Sequence, residues 1–166
     1  MAVSRVLIVL ALCVLLPALI AGEYAPVEEK QHYEVYGHVF CDTCQLGCEH
    51  PLSTPVADAE VKIECRDRKV ESLPVVFTRY GKTDKKGNYM IKVLEQHKNQ
   101  KCEAVLVKSP LASCKEIVEG LDRATVILNE QNGIASYKRM ANSLGFRRES
   151  TIDGCGKLYE LYNYED

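Results

Sequence analysis

The chain has 166 residues, 46% of them apolar and 27% charged, with a formal net charge of −2. This balance excludes collagen-like, low-complexity and disordered classes, and it leaves no basic footprint for nucleic acid. The length allows one domain, and the eight cysteines and the N-terminus carry the compartment signal.

Met1 to Arg5 holds one positive charge, Val6 to Ile20 holds none, and Ala21-Gly22-Glu23 returns to small and polar residues. A basic start, an apolar stretch and a small-residue exit predict a cleaved secretory signal over residues 1–22. A membrane anchor needs about 20 apolar residues, and this run is shorter and interrupted by Pro17. No later stretch is apolar enough to span a bilayer, so an exported protein without membrane insertion is expected. Cys13 leaves with the signal. Cys41, Cys44, Cys48, Cys65, Cys102, Cys114 and Cys155 remain. An oxidising compartment favours their pairing, and an odd number leaves one over.

Glu23 to His32, charged and holding Pro26, reads as a flexible lead-in to a single domain over residues 33–166. Tyr33, Val35, Val39 and Cys41 alternate with Glu34, Tyr36, His38 and Phe40, which predicts a strand. Ala59 to Cys65 alternates as cleanly, with Val61 and Ile63 on one face, and Leu73 to Phe77 reads as a further strand. Thr83 to Met90 is read as a hairpin, because Gly87-Asn88 takes positive φ cheaply and β-type residues follow. Cys102 to Val107 and Thr125 to Leu128 complete the strands, the latter ending at an Asn132-Gly133 turn signal. Lys115 to Arg123 is the one helical candidate, on the spacing of Ile117, Val118 and Leu121. The acidic, tyrosine-rich end from Tyr159 to Asp166 reads as a final strand with a frayed tip. Without a βαβ rhythm, about seven short strands predict an all-β sandwich or barrel.

Cys41-Asp42-Thr43-Cys44 admits three readings. Redox catalysis wants a helix behind the first thiol, and none is signalled. A structural zinc site wants a second ligand pair at matched spacing, and the later cysteines are scattered. The favoured reading is two half-cystines stapling one loop to two distant parts of the chain. Asp42 reads as a loop cap. His32, His38, His50 and His97 are spread singly and read as solvated, and Lys138 to Arg148 reads as a solvated basic face. No G-x-S-x-G, H-E-x-x-H or P-loop is present, so neither an enzyme nor a cofactor or metal is expected.

Tyr36-Gly37-His38-Val39-Phe40-Cys41-Asp42-Thr43-Cys44 closely resembles the G-x-V-x-C-D-T-C signature of the plant pollen Ole e 1 allergen and extensin-like family. Gly37, Val39, Cys41, Asp42, Thr43 and Cys44 fall on the motif positions. The likeness continues through Pro55 to Ala59, Cys65, the Thr83 to Tyr89 turn, Cys102-Glu103, Cys114, Leu144-Gly145-Phe146 and Cys155. The resemblance implies a secreted, disulfide-stapled β domain in which Cys41 bonds Cys114, Cys44 bonds Cys155 and Cys65 bonds Cys102. Cys48 has no counterpart in that pattern and is the unpaired thiol, either free and buried or linking two molecules into a dimer. Implied too is a non-enzymatic, potentially allergenic protein of the extracellular space or cell wall. Its expected partner is the extracellular domain of a receptor-like kinase in pollen-tube or cell growth. The alternative is a structural wall protein that binds a cell-wall polymer, either polysaccharide or extensin-like glycoprotein.

Overall fold

The structure, a computed structural model, describes residues 32–69, 74–130 and 133–162, all within the unit Gln31–Asp166. The expected signal peptide, the lead-in up to Gln31, Leu73, Asn132 and the tail 163–166 lie outside the described residues.

The alternation from Tyr33 produces β1 (Tyr33–Asp42), with Tyr33, Val35, Val39 and Cys41 buried. β1 is the hub of the first sheet. It pairs antiparallel with β2 (Thr54–Pro55) and with β5 (Asn88–Val93). It pairs parallel with β9 (Lys138–Met140) and β10 (Leu144–Arg148), and β7 (Cys114–Ile117) joins β10 antiparallel. The second sheet is antiparallel, in the order β4 (Phe77–Lys82), β3 (Glu60–Asp67), β6 (Gln100–Lys108), β8 (Arg123–Val126). A helix, α1 (Cys155–Tyr162), follows.

Both sheets contribute to one core. Val35, Val39, Ile91, Leu144 and Phe146 come from the first, and Val61, Ile63, Ala104, Leu106 and Val126 from the second. Each fully buried aliphatic or phenyl group stabilises the fold by roughly 1.5–3 kcal/mol relative to exposure. Register is fixed because Val39 sits opposite Leu144 and Ile63 opposite Ala104, so a slip of one residue would turn these side chains outward.

Four expectations need correction. The Thr83 to Met90 turn is not a hairpin: β4 pairs with β3 and β5 with β1, so the turn carries the chain from one sheet to the other. Of the Gly87-Asn88 pair only Gly87 takes positive φ, at 78°, while Asn88 already begins β5; Asp84 Oδ1 closes the turn by accepting from the amides of Lys86 and Asn88. Strand β4 begins at Phe77, where the Leu73 to Phe77 reading ends; Val76 is exposed. The helix expected over Lys115 to Arg123 is instead β7, a turn and β8, because β10 and β6 offer ladder partners that a short helix lacks. The C-terminal segment is α1 and not a strand, held at its first residue by Cys155.

Candidate functional site

Three disulfides are present: Cys41–Cys114, Cys44–Cys155 and Cys65–Cys102. Two of them converge where β1 ends. Cys41 and Cys44 stand on either side of Asp42-Thr43, and all four residues are buried. Cys41 ties β1 to β7, and Cys44 ties the following turn to α1, with Cα atoms 5.4 Å apart. The Tyr159 hydroxyl donates to the Cys44 carbonyl, and the Ile152 amide donates to the Thr43 carbonyl at 3.3 Å.

From this anchor the chain loops out over Gln45 to Pro55. Asp42, fully buried, organises it by accepting from the amides of Leu46 at 3.1 Å and Gly47 at 2.8 Å. Its third partner is the buried ring of His50, whose Nε2 donates to Oδ1 at 3.1 Å. The tautomer is fixed by the other nitrogen: Nδ1 faces the Leu52 amide at 3.2 Å, a group that can only donate, so the proton sits on Nε2. Thr43 Oγ1 donates to the Leu52 carbonyl at 2.8 Å, and Ser53 Oγ accepts from the His50 amide at 3.0 Å. The outer side of the loop is open. Gln45, Gly47, Cys48, Glu49 and Pro51 are exposed, and Gln45 and Gly47 have φ of 57° and 75°.

The motif residues therefore gather in one place, with Gly37 further back on β1 against the Tyr89 ring. Cys48 is exposed and outside any disulfide, so its reading as a buried thiol is corrected. The histidine reading is corrected as well: His50 and His97 are buried, while His32 and His38 are half-buried. Arg139 likewise departs from the solvated basic face. It is buried, donates from Nε to the Ile127 carbonyl at 2.8 Å, and lies 4.9 Å over the Tyr33 ring. Nothing in single-residue spacing announces these partners, which are brought together by strand pairing.

A second polar cluster lies on the second sheet. Glu64 and Glu103 are register partners across β3 and β6. Glu64 meets Lys62 at 2.7 Å and Arg66 at 2.9 Å, and Glu103 meets Arg123 at 3.2 Å. Burial pushes the Glu64 carboxyl up, but the cations Lys62, Arg66 and Arg123 outweigh it and hold the pKa below the ordinary value. A carboxylate held ionised in this way suits an ion cluster better than a proton donor.

Residues 31–163 match the family described as "Pollen protein Ole e 1 like". This chain belongs to that family. Among its relatives, "Protein DOWNSTREAM OF FLC" of Arabidopsis thaliana is 36% identical over 162 residues, covering 98% of this chain and 94% of that protein. "Pollen allergen Che a 1" of Chenopodium album is 38% identical, covering 96% and 93%. "Anther-specific protein LAT52" of Solanum lycopersicum is 38% identical, covering 74% of this chain and 75% of its own. The crystal structure of the major plantain pollen allergen Pla l 1 superposes with a TM-score of 0.66 at 31% identity, covering 75% of this chain and 99% of the allergen. The Ole e 1-like fold is thus that of a solved pollen allergen.

Proposed function

We propose that this Ole e 1-like chain is a secreted, non-enzymatic extracellular protein of the pollen-tube or cell-growth type. Its Gln45 to Pro55 loop binds the extracellular domain of a receptor-like kinase. One observation carries the reading: the loop is buried and hydrogen-bonded on its inner side through Asp42, Thr43 and His50, yet exposed on its outer side. A loop pre-ordered in this way loses little conformational freedom on binding, the condition for recognition by a small scaffold. The names of relatives with pollen and anther in them support the tissue, and the allergen names support an allergenic character. Among the described residues no helix is long and apolar enough to cross a membrane, in keeping with export.

The test is a cross-linking pull-down with the oxidised mature protein on plant membrane and wall fractions, with reduced and alkylated protein as control. Enrichment of receptor-kinase ectodomains by the oxidised form alone is the expected result. Capture of wall polysaccharide or extensin-like glycoprotein alone would replace this reading with the structural one. Among the described residues, exposed Tyr80, Tyr137 and Tyr162 would then be groups available for cross-linking.

A further inference from the structure

Away from the loop, Cys65 and Cys102 face each other across the β3–β6 ladder, joined by their disulfide with Cα atoms 4.1 Å apart. His97, in the turn before β6, is packed beside them and only 5% exposed. One of its nitrogens is accounted for: Nδ1 lies 2.6 Å from Gln100 Oε1, an atom that only accepts, so Nδ1 donates. The other, Nε2, is buried and has no hydrogen-bond partner. It lies with the two sulfurs in a group whose atoms are all within 4.8 Å of one another. Phe77 covers the ring, with centroids 4.5 Å apart. A buried polar atom without a partner carries a free-energy cost, and here it is held beside two cysteines.

We infer that reducing the Cys65–Cys102 bond uncovers a zinc site formed by the two sulfurs and His97 Nε2. The reductant is a dithiol of the disulfide-exchange class. One of its thiolates attacks a cystine sulfur, releasing the first cysteine thiolate and giving a mixed disulfide. Its second thiolate attacks its own sulfur in that mixed disulfide, releasing the second cysteine thiolate and closing the reductant's disulfide. Two electrons and two protons pass to Cys65 and Cys102, and the dithiol becomes a disulfide. Zn²⁺ then takes the place of the two thiol protons, which go to solvent. Two thiolates balance the divalent charge, which a buried site requires. Zinc takes sulfur at ~2.3 Å and imidazole nitrogen at ~2.0 Å, so the sulfurs part by rotation of their side chains. The flanking ladder, from Glu60–Lys108 to Asp67–Gln100, holds the backbone meanwhile. Gln100 acts as the outer partner that orients a metal-bound histidine. The fourth position is left to water or a small thiol.

The test starts from the full mature chain carrying Cys48→Ser, reduced with a trialkylphosphine and checked by circular dichroism. Zinc uptake is read by competition with a chromophoric chelator. The expected result is one more equivalent than in the Cys65→Ser/Cys102→Ser pair variant, which keeps the other four cysteines. His97→Ala should weaken that equivalent at least tenfold, and Gln100→Leu by roughly 10–100-fold. Equal uptake by parent and pair variant, or no effect of His97→Ala, would overturn the inference. Should reduction unfold the parent, zinc must restore its circular dichroism and fail to restore that of His97→Ala. Identical behaviour of the two would also overturn it.

Discussion

His50 uses both ring nitrogens inside the protein, one as donor to Asp42 and one as acceptor from Leu52. Replacing it by Ala leaves a buried carboxylate and a backbone amide short of partners, a loss of about 1–3 kcal/mol. His50→Ala is expected to lower the thermal midpoint and open Gln45 to Pro55 to proteases; an unchanged digest would deny the ring its organising role. Glu64 yields a pH test. Its pKa in the folded protein lies below the ordinary 4.5 because Lys62, Arg66 and Arg123 overcome the effect of burial. Its contribution is therefore complete above the unfolded value and is lost as pH falls through the folded value. Wild type should lose stability in acid more steeply than Glu64→Gln, and parallel acid-unfolding curves would refute this. Asp42 could be read as a cap from its type and place, whereas His50, His97 and Arg139 could not be read as buried. Their partners come from residues that only folding brings near, and no spacing rule encodes such a meeting.

At the scale of elements, β1 and β5 are locked by close packing as well as by their ladder. A Cβ added at Gly37 would sit 2.2 Å from the Tyr89 hydroxyl oxygen, so the motif glycine is a space requirement. Gly37→Ala should cost about 1–3 kcal/mol by overpacking, and adding Tyr89→Leu should recover part of it in denaturant melts. No recovery would place the strain elsewhere. Cys44→Ser removes the only disulfide that reaches α1 and should loosen the segment beyond Leu144. Cutting it removes a long loop closure whose value is roughly 3–5 kcal/mol. Faster proteolysis after Leu144 is the readout, and unchanged resistance would count against that bridge as the anchor. β1 and β3 were legible from their first residues, where burial alternates through Tyr33 and Val35 and through Val61 and Ile63, although further along both strands the two faces are buried together, at Phe40 and Asp42 and at Glu64. β7 was not, because Ile117 is exposed and the apolar spacing there marks no core face, whereas β8 was found only in its second half, at Thr125 and Val126. The two-sheet crossover at Thr83 to Met90 was equally hidden, since turn residues report local bending and not which strand will be the neighbour.

For the whole molecule, a β class stapled by cysteines followed from composition, alternation and an oxidising compartment. Which cysteine joins which did not, because six half-cystines allow 15 pairings and only the family resemblance selected one. Cys48 lies outside the three bridges and on the surface. Cys48→Ser is therefore expected to leave stability within about 0.5 kcal/mol of wild type, and a clear fall in secretion or thermal midpoint would show that the thiol matters to the fold.

The position of β1 has a consequence for how the chain is made. Val39 waits for Leu144 and Tyr36 for Met140, so β1, the first of the described strands, has one edge closed only by β9 and β10, far later in the chain. Contacts so distant in sequence form slowly. Until then Val39 and Phe40 lie on a strand with an open edge, close to two cysteines, Cys41 and Cys44, that have yet to meet Cys114 and Cys155. A nascent chain stopped short of Leu144 would present that edge to another copy, the template from which strand-addition aggregates grow.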